Sequence, residues 1–199
     1  MALMHVAERS SLSRGKEYAA VILFFLAVSV AFTWPLALRV HNSFIGVPKD
    51  PLLNAWIISW DVNTVFTRPS RLFQANILYP NRNSLAFSEH LFTAGLIAAP
   101  VYHTSKNPIL AYNFIVFLGL VLSAFGCYLL VKELTGSRWG GIVAGLSFSF
   151  CPFMITNLNR AHILFSPFLP FMLLFLYQYL NEGKKRNLFW ATASFTAQS

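Results

Sequence analysis

The chain has 199 residues, of which 56% are hydrophobic and only 11% charged, and its mean hydropathy is +0.55. Soluble domains contain about a quarter charged residues, so this composition indicates an integral membrane protein in a lipid bilayer. The formal charge of +8 does not indicate nucleic-acid binding, because the Lys and Arg residues are scattered in small groups between apolar runs, as in membrane loops.

Long apolar runs predict several membrane-spanning helices. Residues 18–38 form the first one, which follows the basic segment 1–17. This apolar run is longer than the apolar region of a secretory signal. The remaining region, 107–199, contains three further full-length runs and a last incomplete one: 107–131, 139–159, 161–181 and 187–199. The last run reaches only roughly 20 Å of a hydrocarbon core about 30 Å thick. We therefore expect the chain to be the front part of a longer protein.

The only long polar region is residues 39–106, for which we predict two helices lying in the membrane surface, at about 51–66 and 89–104. If the helix at 89–104 does not cross the membrane, most positive charges of the short loops lie on the same side of the membrane as the N-terminus. Arg160 is then the only positive charge in the short loop on the opposite side. The positive-inside rule then places the N-terminus in the cytoplasm. The predicted fold is all-α: a polytopic transmembrane helical bundle with a long extracytoplasmic first loop that bears interfacial helices.

Small residues recur at a spacing of four in two of the predicted spanning helices. Gly119, Ser123 and Cys127 form one series, and Gly141 and Gly145 form another. Such repeats let helix backbones approach closely in membranes. They predict assembly of the bundle and carry no information about activity.

The candidate functional residues lie mostly in the polar loop, and each has a plain structural alternative. Asp50, before Pro51, is typical of a helix N-cap. Asp61 and the loop amides, Asn54 among them, could form a solvated helix face, and Glu89 could complement a helix N-terminus. His162 and Arg160 could be polar residues at the membrane interface. The sequence predicts no metal site and no cofactor, and it leaves the oligomeric state open.

Asp50 and Asp61 cannot act as a pair of carboxylates in sugar chemistry. Along one helix they would stand roughly 16 Å apart, whereas such pairs are about 5 to 10 Å apart. A partner for Asp50 must come from elsewhere in the fold, and Glu89 and His162 are the obvious choices.

Several short motifs resemble a known family. They are the Asp50-Pro51 dipeptide after the first spanning helix, Trp56 and Trp60 at helical spacing, the turn at 76–81, Glu89, and the segments 107–113, 134–139 and 148–152 with His162 beyond. This pattern is similar to the C-type (GT-C fold) glycosyltransferase superfamily and its YfhO-like relatives, whose N-terminal portion the chain would represent.

The resemblance implies a bacterial inner-membrane enzyme that moves a sugar from a polyprenyl-phosphate donor to an acceptor at the extracytoplasmic face. It implies that Asp50 is the catalytic general base, and it leaves Glu89, His162, Arg160, Asn54 and Asp61 as candidate substrate-binding residues. The alternative from another class is a non-catalytic membrane protein: a lipid or sugar-lipid transporter subunit, or a truncated relative that only binds. The spanning runs contain no acid or base at mid-membrane, which counts against a transporter.

Overall fold

The computed structural model describes residues 2–46, 48–89 and 91–198, with side chains from residue 14 onward. All regular elements in these ranges are helical, so the all-α prediction is confirmed. The helices are α1 (Ala2–Phe32), α2 (Lys49–Thr67), α3 (Phe92–Ser105), α4 (Pro108–Thr135), α5 (Arg138–Ser149), α6 (Pro152–Thr156), α7 (Ala161–Leu164), α8 (Phe168–Glu182) and α9 (Lys185–Gln198).

Among the residues that the structure describes, four segments are long and apolar enough to cross a membrane: Arg14–Phe32, Pro108–Thr135, Arg138–Thr156 and Ala161–Glu182. The last two are interrupted, because α5 gives way to α6 at Pro152 and α7 gives way to α8 near Pro167. A proline has no amide hydrogen and cannot continue the helical hydrogen bonding, but it suits the start of a new helix.

Helix α4 is the centre of the bundle and packs against α1, α2, α3, α5 and α8. It has 28 residues, which corresponds to about 42 Å. A Cβ added at Gly145 would stand 2.6 Å from the carbonyl oxygen of Ala124, and one at Gly119 would stand 2.8 Å from that of Leu164. The predicted close approach at these glycines is confirmed.

The polar loop differs from the prediction at the start of both of its helices. Helix α2 begins at Lys49 with Pro48 at the N-cap, so Asp50 lies in the first turn and does not cap the helix. Helix α3 begins at Phe92 rather than near Glu89; its predicted first turn includes His90, which lies outside the described residues. Met1 and the side chains of 2–13, in the predicted cytoplasmic segment, also lie outside them.

Candidate functional site

The carboxylate of Asp50 forms an ion pair with Arg160. The Arg160 Nε donates to Asp50 Oδ2 over 2.9 Å, and its Nη1 donates to Asn157 Oδ1 over 3.0 Å. Neither Glu89 nor His162, the partners that we expected, makes this contact. The pair joins the first turn of α2 to the segment between α6 and α7, although the two residues are 110 positions apart.

A second polar contact lies one turn further along α2. The amide of Asn54 stands 3.4 Å from His162 Nδ1, and Asn54 is only 1% exposed. The expectation that Asn54 belongs to a solvated helix face is therefore wrong. Nearby, the Tyr112 hydroxyl of α4 donates to the Asn159 carbonyl over 3.0 Å. Three separate parts of the chain thus meet at this end of the bundle.

Asp61 is also buried, at 1% exposure, and the solvated-face prediction is wrong for it too. Its side chain lies against α3, where a Cβ added at Gly95 would stand 3.2 Å from the Asp61 Cβ. Burial raises the pKa of Asp61 to about 7, because desolvation disfavours the charged carboxylate. Because Gly95 has no side chain, there is room for this carboxyl group between α2 and α3.

Glu89 lies on the surface, and its Oε2 accepts a hydrogen bond from the adjacent Ser88 hydroxyl over 3.1 Å. The structure therefore brings four of the six candidate residues into two contacts, Asp50 with Arg160 and Asn54 with His162. Asp61 lies inside the packing of α2 on α3, and Glu89 takes part in neither contact.

A cleft of 330 Å³, which we call the first cleft, lies where α1 ends. Apolar side chains, three of them aromatic, share its lining with polar groups, and Arg39 is its cationic residue. The lining residues are Phe32, Thr33, Trp34, Pro35, Leu36, Arg39, Ser43, Phe44, Ile45 and Gly46.

Asn113 of α4 and Asn107, which precedes α4, hold the backbone beside the first cleft in place. The buried Asn113 amide donates to the carbonyls of Val40 (2.7 Å) and Ser43 (2.8 Å). Asn107 caps the start of α4 and donates to the His41 carbonyl over 2.7 Å. Both asparagines lie in the 107–113 motif, and the sequence assigns them no role; the available signal was the amide of Asn113 inside an apolar run.

The opposite end of the bundle carries a cluster that the sequence did not reveal. Glu17 of α1 accepts hydrogen bonds from the Tyr128 hydroxyl and from Lys132, both on α4, and its Oε2 lies 3.0 Å from Arg138 Nη2 on α5. We call these four residues the Glu17 cluster. It fastens three spanning segments to one another.

The bundle and its membrane-spanning segments define the class: a helical integral membrane protein. A family model described as 6-pyruvoyl-tetrahydropterin synthase related domain, membrane protein, matches residues 95–197, just over half of the chain. The chain belongs to this family. Comparisons with curated proteins and with solved structures give no match.

The family match corrects the resemblance drawn from short motifs. No glycosyltransferase or YfhO family model matches, so the glycosyltransferase assignment is wrong, and the polyprenyl-phosphate sugar donor is unsupported. The role of Asp50 as general base and the location in a bacterial inner membrane came from that resemblance and lose their basis. Motifs such as an Asp-Pro helix start or a Pro-Asn turn recur because they suit helix starts and turns in general.

Proposed function

We propose that this protein is a non-catalytic membrane protein that binds a lipid in the first cleft. The observation that carries the proposal is the position and chemistry of this cleft. It lies where a spanning helix ends, its lining combines aromatic and aliphatic side chains with polar groups, and Arg39 is among them. Apolar walls suit an acyl chain, and a guanidinium suits an anionic or polar headgroup at the membrane surface.

The cleft is formed by backbone that the protein itself holds in place. The two hydrogen bonds from Asn113 fix the carbonyls of Val40 and Ser43, and Phe44 packs edge-on against Tyr112 with ring centroids 5.2 Å apart. A site that exists before the ligand arrives avoids the entropic cost of ordering it on binding. This rigidity supports binding as the task of the region.

The polar pairs of the loop have a supporting role in this proposal. Arg160 engages the carboxylate of Asp50, and Asn54 lies buried beside His162, so both contacts hold α2 against the 157–162 segment. We therefore assign Asp50, Arg160, Asn54 and His162 to the positioning of the loop on the bundle.

Photo-crosslinking with a diazirine-bearing phospholipid tests the proposal in membranes. We expect saturable labelling of a peptide within 32–46, competed by the unmodified lipid. In samples that are not irradiated, the lipid extracted from the protein should have its mass unchanged. Trp34→Ala and Arg39→Gln should lower the labelling, because they remove an aromatic wall and the cation.

Trp139→Ala is the matched control, because Trp139 is 78% exposed and outside the first cleft. Labelling that does not saturate, or that falls equally in this control, would argue against a lipid site. A change in the mass of the bound lipid that depends on the protein would contradict the non-catalytic assignment.

We also propose that the N-terminus is cytoplasmic and that the 39–106 loop is extracytoplasmic. In support, Lys132 and Arg138 gather at the α1 end that carries Glu17, and Arg160 meets the loop at the other end. The short loops that share the N-terminal side are thus the basic ones, as the positive-inside rule requires for the cytoplasmic side.

Cysteine labelling tests this orientation. In a parent with Cys127→Ala and Cys151→Ala, a membrane-impermeant thiol reagent added outside should label Arg82→Cys. Lys185→Cys should be labelled only after permeabilisation. Both positions are exposed, so the reverse pattern would overturn the orientation.

A further inference from the structure

We infer that a second cleft, at the end of α2, binds a phosphate group. This second cleft has a volume of 430 Å³ and does not share residues with the first one. It is lined by Trp60, Thr64, Thr67, Arg68, Arg71 and Gln74. The inference is independent of the lipid proposed for the first cleft.

The positive charge of the second cleft favours an anionic ligand. Arg68 and Arg71 are both exposed, and among the residues that the structure describes neither forms an ion pair with an acid. None of the six lining residues is acidic. Guanidinium groups present planar pairs of N–H donors that match two oxygens of one phosphate, which a more hydrated ammonium group does not do.

Neutral groups complete the lining. The Thr64 side chain, on a residue only 7% exposed, and the amide of Gln74 add hydrogen-bonding capacity to that of the two arginines. The volume is within the range that is typical of small-ligand sites.

An aromatic wall places the second cleft at headgroup depth. Trp60 Nε1 donates to the Leu72 carbonyl over 2.8 Å, which fixes the indole, and its ring stacks on Trp56 with centroids 5.8 Å apart. Tryptophan prefers the membrane–water interface, where lipid phosphates lie. The phosphate can therefore belong to a lipid headgroup or arrive free from water; the recognition chemistry is the same.

Calorimetric titration of the full chain in dodecyl maltoside, which carries no phosphate, tests the inference. One titration uses inorganic phosphate, and a second uses dihexanoyl-phosphatidylglycerol, with uncharged dihexanoylglycerol as the tail control. We expect saturable binding of at least one phosphate ligand that depends on Arg68 and Arg71. Any binding of the neutral lipid, which the first cleft can also take, should not depend on these two arginines. Tighter binding of the lipid than of inorganic phosphate identifies a headgroup, and equal or tighter binding of inorganic phosphate identifies free phosphate.

The double variant Arg68→Gln/Arg71→Gln should weaken binding on the order of 10²-fold, because it removes charge-assisted hydrogen bonds from two side chains. Arg82→Gln/Lys106→Gln is the matched control: it removes the same charge from exposed positions outside the cleft and should bind as the parent does. If the first double variant does not fold, Arg68→Lys/Arg71→Lys, which keeps the charge but loses the planar fork, should still bind more weakly than the parent.

Two results would overturn the inference. One is the absence of saturable binding by either phosphate ligand. The other is equal binding in the cleft variants and in the control pair: an equal loss would show attraction to net charge alone, and no loss in either would place the ligand outside the second cleft.

Discussion

Charged side chains meet near both ends of α4, but they are exposed to different extents. In the Glu17 cluster the side chains of Glu17 and Lys132 are 12% and 22% exposed. At the other end those of Asp50 and Arg160 are 43% and 47% exposed. Surface ion pairs contribute about 0–1 kcal/mol, whereas removal of one partner from a buried pair costs more. The Glu17 cluster therefore fastens the spanning helices, and the Asp50–Arg160 pair contributes little to stability.

Both clefts lie in the part of the chain between residues 32 and 74, before the residues that the family model matches. The matched part, 95–197, consists of α3 and the helices that follow it. The spanning helices form a tightly packed bundle, and the polar loop packs onto one end of it.

We expect Gly145→Ala to destabilise the protein more than the other substitutions proposed below, because it disrupts the helix contact between the two ends. The new Cβ would stand 2.5 Å from Phe25 Cζ and 2.6 Å from the Ala124 carbonyl oxygen, and the backbone atom cannot move aside cheaply. Since overpacking of a well-packed core costs about 1–3 kcal/mol and occasionally more, we expect a loss at the upper end of this range. Unfolding by SDS in mixed micelles measures it.

Gly15→Ala is the control, because nothing lies within 4 Å of a Cβ at this position of α1. Alanine there should leave the free energy of unfolding unchanged or raise it by up to ~1 kcal/mol. Equal effects of the two substitutions would show that α1, α4 and α5 are not closely packed.

The second prediction concerns the pH dependence of the loop end. Because the pKa of Asp61 is raised to about 7, its native carboxyl group keeps a proton that the unfolded chain has lost at lower pH. Its contribution to stability is fully present below pH ~4 and is lost as the pH rises toward about 7. Asp61→Asn should remove this loss of stability. The free energy of unfolding of the variant, relative to that of the parent, should therefore increase between pH 5 and pH 8.

Each pKa unit corresponds to about 1.4 kcal/mol, so the difference amounts to a few kcal/mol. Thermal unfolding of parent and variant at the two pH values measures it, with Glu89→Gln as the exposed control. Parallel pH profiles for parent and Asp61→Asn would contradict the burial of a neutral carboxyl group.

The sequence predicted the elements that depend on local pattern. Apolar runs long enough to cross a membrane marked all four spanning segments, and the glycines at 141 and 145 marked the contact of α5 with α4. The sequence could not predict that Pro152 begins a separate helix, because proline is also tolerated inside spanning helices.

The contacts of the site depend on tertiary structure, and local patterns missed them. Arg160 meets Asp50 across 110 positions, and Asn54 and Asp61 are buried only because other elements cover α2. A polar residue on a predicted surface helix looks solvated until its neighbours are known. Short motifs also misled the assignment of the family, because turn and helix-start chemistry is shared by unrelated membrane proteins.

Glu17→Gln tests how firmly the Glu17 cluster holds its end of the bundle. Glu17→Gln keeps the shape but removes the charge that Lys132 and Arg138 share, so two cations remain close together. We expect a loss of roughly 1–3 kcal/mol in the free energy of unfolding, since hydrogen bonds to charged groups contribute about this much. The exposed neighbour Glu133→Gln should change it little; equal losses would show that the cluster is ordinary surface charge.

Removal of the Asp50–Arg160 pair should change the free energy of unfolding least. This measurement tests whether the two ends of the bundle differ in how firmly they are held. Asp50→Asn and Arg160→Gln should each lower the free energy of unfolding by about 0–1 kcal/mol, and a double-mutant cycle should give a coupling energy below ~1 kcal/mol. The physical reason is that both side chains are nearly half exposed, so water and salt screen their attraction. A cycle on Glu17 and Lys132 in the same micelles provides the reference. If the Asp50–Arg160 coupling equals or exceeds that reference, the loop is fastened as firmly as the bundle, and the distinction between the two ends is wrong.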